Sequence, residues 1–147
     1  MTALTRWALA VVAAAGLGID AFTHLDLASQ YQANTTGTVN EGVLFQIEAA
    51  LAITAGLWLL LRPGLLSAGF AVLVAGGGAF VLLLYRYVNV GKIGPIPDMY
   101  DPAWFTEKKW SLAGELIAVG ASSALLVLAL VSHRVSRRTA LRRSVAA

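Results

Sequence analysis

Asp20 and His24 stand four residues apart in the run Gly18-Ile19-Asp20-Ala21-Phe22-Thr23-His24-Leu25-Asp26, which is otherwise apolar and helical in pattern. At that spacing both side chains share one helix face. A carboxylate beside an imidazole can orient it for proton transfer, or the two can bind one ion. Three more ionisable residues stand inside apolar stretches further on: Glu48, Arg86 and Glu115. An Asp at the middle of a membrane helix costs about 2.5–3.5 kcal/mol on insertion scales, so residues of this kind point to function.

Several kinds of chemistry fit these five residues. The plainest is structural: Arg86 pairs with Glu48 or Glu115 and fixes helix register, a role buried ion pairs can serve even where they add little stability. That leaves three carboxylates facing one arginine and one histidine. The second is a site for a small ligand or a cation. One imidazole and three carboxylates suit Mn, Fe or Zn, so Asp20, His24, Glu48 and Glu115 are the candidate ligands of a divalent metal. Arg86 nearby would oppose such an ion. The third is an intramembrane enzyme, since a carboxyl in a low-dielectric site holds its proton to higher pH and can act as an acid near neutrality. His24 would be its base and a lipid or isoprenoid its substrate. Tyr85, Asn89, Trp104 and Trp110 are the expected pocket mouth. The fourth is an accessory subunit or proton-coupled transporter, although no internal repeat argues for a stand-alone transporter.

Apolar spans must position these residues. Only 13% of the 147 residues are charged, and 58% are hydrophobic. Soluble domains carry about 25% charged residues. Four stretches can cross a bilayer, for which about 20 residues suffice: 7–27, 42–61, 65–88 and 110–131. The reading is an all-α, four-helix transmembrane bundle, up-down-up-down, filling residues 1–133, with a basic tail over 134–147. Span one is read as retained, because its apolar run continues well past the Ala13-Ala14-Ala15 that could serve a signal peptidase. Arg62-Pro63-Gly64 reads as a tight turn between spans two and three. Asn40 reads as the N-cap of span two, and Asp101-Pro102 as the N-cap and first residue of a short helix. The Gly/Pro/aromatic loop 91–105 is either a lid over the bundle mouth or an interfacial anchor. Small residues at four-residue spacing (Ala10, Ala14, Gly18; Ala52, Gly56; Ala71, Ala75, Ala79; Gly114, Ala118, Ser122) read as helix-packing ridges.

Charge sets the expected orientation. Arg6, Arg62 and the tail arginines Arg134, Arg137, Arg138, Arg142 and Arg143 fall on one side, against Lys92, Lys108 and Lys109 on the other. Both termini are therefore expected in the cytoplasm. All eight acids fall toward the opposite side. The high pI, about 9.6, implies anionic lipid headgroups as the partner of the tail, and no nucleic acid. With no cysteine, thiolate metal sites and cysteine nucleophiles are excluded. The small-residue ridges allow an oligomer but suffice for internal packing. Arginine-rich, alanine-rich usage suggests a bacterial cell membrane.

One further pattern is a histidine near the end of span one and Phe45-x-x-Glu48 in span two, then Arg62-Pro63. Tyr85-Arg86 runs into Gly91-x-x-Gly94-Pro95, and a glutamate opens span four. Across roughly residues 7–131 this resembles small four-span bacterial membrane proteins of DoxX-like layout, which implies the fold and no activity. The layout is also distantly similar to EXPERA-type sterol-binding and isomerase proteins, from which no residue role carries over.

Overall fold

The computed structural model describes residues 2–145, and the side chains of residues 2–133. It is all-helical: α1 spans Ala3–Ala28, α2 Glu41–Leu61, α3 Leu65–Tyr87 and α4 Thr106–Val145. No β-strand occurs among the described residues. All four helices are long and apolar enough to cross a membrane, α4 through its portion Thr106–His133. The tail arginines lie outside the described side chains.

The helix ends follow from local chemistry. Thr2 caps α1 by accepting from the Thr5 N–H at 3.1 Å. Asn40 caps α2 as the sequence predicts, its Oδ1 accepting from the Val43 N–H at 2.8 Å. In the 62–64 turn, Ser67 Oγ accepts from the Gly64 N–H at 3.0 Å and donates to the Arg62 carbonyl at 2.7 Å. The short helix expected at Asp101-Pro102 does not form. Asp101 Oδ1 instead accepts from the Ala103 N–H at 3.0 Å, an Asx turn that competes with helix initiation, and α4 starts at Thr106.

The core is built of small residues. Ala10, Ala13, Leu17, Ala49, Ala52, Ala55, Leu59, Ala68, Ala71, Ala75, Ala118 and Leu125 are fully buried. Leucine, isoleucine and phenylalanine side chains such as Leu57, Leu73 and Phe80 point outward. This inversion suits a lipid solvent, where close backbone approach rather than apolar burial joins helices. α1 packs mainly on α2 and α4, α3 mainly on α4, and α1 barely touches α3. α1 and α4 approach backbone to backbone. A Cβ on Gly16 would lie 2.5 Å from the Gly114 carbonyl oxygen, and one on Gly114 2.6 Å from the Gly16 oxygen. The ridge expected at Gly18 is not used, since that residue meets nothing within 4 Å.

The two long loops are stitched together at one end of the bundle. The Pro95 carbonyl accepts from the N–H groups of Thr38 and Val39 at 3.0 and 3.1 Å. Thr36 Oγ1 accepts from the Asp98 N–H at 2.9 Å. Asn34 Nδ2 donates to Glu41 Oε2 at 2.5 Å and to the Asp98 carbonyl at 2.9 Å. Ile93 and Ile96 exchange backbone hydrogen bonds around Gly94, whose φ of +56° is a left-handed conformation that glycine adopts freely. The Asp101 N–H donates to the Tyr85 carbonyl at 3.2 Å and ties this loop to the end of α3.

Candidate functional site

Asp20 is fully buried on α1. Its Oδ1 accepts from Ser111 Oγ of α4 at 2.7 Å and faces His24 Nδ1 at 3.0 Å. His24 Nδ1 also lies 3.1 Å from the Asp20 carbonyl. Both neighbours are acceptors, so Nδ1 carries the proton. The imidazole is thus held by one carboxylate, one helical turn away, with its ring edge-on to Phe45 at 5.3 Å between centroids. Asp20 and His24 meet as the sequence predicts. Ser111 completes the group; it shares a helix face with Glu115, four residues on, which was the signal for it.

Glu115, also fully buried, reaches from α4 toward α3. Glu48 reaches the same place from α2. They meet at Gly78 of α3: a Cβ there would collide with Glu115 Oε1 and lie 3.0 Å from Glu48 Oε1. Gly78 belongs to the run Gly76-Gly77-Gly78, next to the Ala71, Ala75 and Ala79 ridge. Its place in the structure is to leave room for two carboxyl groups. The acceptors gathered here are unsatisfied. Asp20 Oδ2, Glu48 Oε1 and both oxygens of Glu115 are buried with no hydrogen-bond partner among the described residues. Burying a carboxylate without compensation costs several kcal/mol, so each such oxygen calls for an explanation.

Arg86 supplies none. Its guanidinium stacks over the rings of Tyr87 at 4.9 Å and Trp104 at 5.2 Å, and among the described residues it pairs with no acid. Among the described residues the ion pairs are His24–Asp20 and Lys108–Asp101, the latter at 2.9 Å. The expected fork of Arg86 onto Glu48 or Glu115 is therefore replaced by cation–π contact. Nor do Asp20, His24, Glu48 and Glu115 converge as a metal centre. Among the described residues no three His, Asp or Glu side chains form a group that could hold an ion.

A cavity of about 320 Å³ adjoins these groups, between α1, α2, α3 and the start of α4. His24, Glu48, Gly78 and Ser111 lie on its wall. The remainder is largely apolar, including Leu27, Leu44, Phe45, Val81, Leu82 and Phe105. Ile96 and Met99 of the stitched loop line it as well, so that loop roofs the cavity. Ile47 and Val81 line it and are also 50% and 42% exposed, which makes the gap between α2 and α3 a side opening. Of the four residues expected at the mouth, Tyr85 lines the cavity and is buried. The other three do not. Asn89 turns back to accept from the Gly91 N–H at 3.1 Å, and Trp104 stacks on Arg86. Trp110 is 58% exposed and lines a separate groove with Phe22 and Asp26.

Outside the spans, two groups titrate abnormally. Burial by itself would raise the Asp101 carboxyl, but the Lys108 ammonium and the Ala103 N–H overcome it and hold it below the usual carboxylate value. Burial first, and then the negative charges of Asp101 and Glu41, push the Tyr31 phenol up to about 12. Sequence reasoning did not single out Tyr31, and it read Asp101 as a helix cap and Lys108 as a loop charge without joining them. Their pairing depends on the loop fold.

Compared with family models, curated proteins and solved structures, the chain matches none.

Proposed function

We propose that this chain is a multi-pass protein of a bacterial plasma membrane that binds a small amphipathic molecule in the cavity beneath the stitched loops. In this reading the helices run up-down-up-down with both termini in the cytoplasm, the roofed end faces outward, and the tail arginines rest on anionic headgroups. The observation that carries the reading is the combination of an apolar cavity with buried acceptor oxygens that no group among the described residues satisfies. An apolar wall with a few convergent polar groups is the usual make-up of a ligand site. The side opening at Ile47 and Val81 would admit an apolar molecule from the bilayer. The missing three-ligand group leaves a resident divalent metal without support.

Native mass spectrometry of the protein released from nanodiscs tests this, comparing wild type with Leu82→Trp, which fills the cavity. A co-purifying mass that disappears in the variant is the expected result. No bound mass in wild type, or the same mass in both, would sink the reading.

A second reading, an enzyme acting on a lipid or isoprenoid, is favoured by one specific observation: His24 lies on the cavity wall and is oriented by a buried carboxylate. It could move a proton to or from a bound substrate. Under this reading His24→Gln retains the bound molecule, and its chemical form differs from that bound to wild type. Identical bound species in the two proteins argue for binding alone.

A further inference from the structure

Resting on the reading of the cavity as a ligand site, we infer that the polar end of the ligand is a protonated primary amine, held by Glu48 and Glu115 where their carboxyl groups meet beside Gly78. Three features of the site lead to this class. The first is unmet acceptor capacity. Glu115 is 0% exposed, and among the described residues neither of its oxygens has a partner; Glu48 Oε1 is likewise buried and bare. Together these are three bare acceptor atoms, two of which, Glu115 Oε1 and Glu48 Oε1, meet beside Gly78, and an alkylammonium carries three N–H donors. The second is charge. No cation of the protein serves these two carboxyl groups among the described residues, because Arg86 lies on Tyr87 and Trp104, Lys108 is held by Asp101, and His24 is held by Asp20. The third is the wall. Phe45 and Tyr85 line the same cavity, and aromatic faces attract ammonium groups.

The same features reject neighbouring classes. A quaternary ammonium has no N–H donor and would leave the carboxyl oxygens bare. A phosphate or carboxylate headgroup would be repelled. A divalent ion would lack a third protein ligand among the described residues. A neutral alcohol could satisfy one acceptor and no charge. The apolar body would rest among Leu44, Leu82 and Ile96. The volume, about 320 Å³, lies at the small end of ligand pockets, which run from about 300 to 1,000 Å³. A short alkyl chain or single ring system suits it better than a two-chain lipid.

The test is retention of labelled octylamine, octanol and octyltrimethylammonium by nanodiscs carrying the full chain, with empty nanodiscs subtracted. Wild type is expected to hold octylamine about tenfold or more tightly than either comparator, as charge-assisted hydrogen bonds in a dry site imply. Glu48→Gln and Glu115→Gln should each remove most of that preference, while Leu82→Trp removes retention of all three probes. Equal retention of octylamine and octanol by wild type, both lost in Leu82→Trp, would overturn the amine inference and leave the cavity reading standing. Retention of every probe unchanged in Leu82→Trp would overturn the cavity reading itself. The wild-type comparison needs no variant to fold, and full octylamine preference in both glutamine variants would equally overturn the inference.

Discussion

At Gly78, the atoms that an added Cβ would meet are the far ends of two flexible side chains, Glu115 and Glu48. Those ends can move aside. Replacing glycine in a helix also gains about 0.5–1 kcal/mol of helix stability. Gly78→Ala should therefore change unfolding stability by less than about 1 kcal/mol, while octylamine retention in nanodiscs falls severalfold because the carboxyl groups no longer meet at one point. Unchanged retention would separate the glycine from the site. Asp101 makes a second prediction at this scale. Its carboxyl is held below its ordinary value, so the stability it lends the roof is fully present above about pH 4 and is lost as pH falls through the lowered value. Hydrogen exchange over 91–101, corrected for intrinsic rates, should show constant protection from pH 8 to about pH 4 and a fall below it. Lys108→Ala should lower that protection throughout. Tyr31 works in the opposite direction. Its phenol should stay neutral to about pH 12, visible as a late tyrosinate absorbance that is absent from Tyr31→Phe.

Among the elements, α1 and α4 meet backbone to backbone, and two glycines on α1 make a paired test. A Cβ on Gly16 would meet backbone, the Gly114 oxygen at 2.5 Å and the Ala118 nitrogen at 2.9 Å, which cannot yield as a side chain can. Gly16→Ala should cost more than about 2 kcal/mol in unfolding by SDS in mixed micelles, in the range of overpacked cores. Gly18→Ala faces open space and should be neutral or slightly stabilising. The sequence offers both glycines, and the four-residue spacing Ala10-Ala14-Gly18 favours the wrong one. The better guide is Asp20, whose charge has to turn inward. Counting back three, four and seven residues from it gives Leu17, Gly16 and Ala13, all buried. The spans themselves were legible to within a few residues, since a long apolar run needs no partner to be recognised. The inward facing of Glu115 was legible for the same reason as that of Asp20. Where Arg86 would go was not, because its choice between a carboxylate and the Trp104 ring depends on the path of a loop.

For the whole molecule, orientation is the prediction most cheaply checked, because the chain contains no cysteine. With both termini in the cytoplasm, Thr35→Cys should react with a membrane-impermeant maleimide on intact spheroplasts, and Thr2→Cys only after permeabilisation. The reverse pattern would place the cavity roof in the cytoplasm. The roof also marks the limit of what patterning reveals. Asn34 and Asp98, or Thr38 and Pro95, are joined by single hydrogen bonds between loops that share no periodicity. Nothing local in either loop announces the other.

That stitching has a consequence for how the protein is made. Chains are synthesised from the N-terminus, and their parts fold in the order in which they emerge. When α1 and α2 have entered the bilayer, Asp20 still lacks Ser111, Glu48 lacks its neighbour at Gly78, and Asn34 and Thr36 lack the loop they will join. The first helical pair is thus inserted with acids and loop polar groups whose settings arrive only with the second pair. Until then it is a half-product that a membrane protease can distinguish from the finished protein. A fragment ending at the 62–64 turn should be degraded when made alone and stabilised when residues 65–147 are co-expressed, with its half-life in a pulse-chase as the readout.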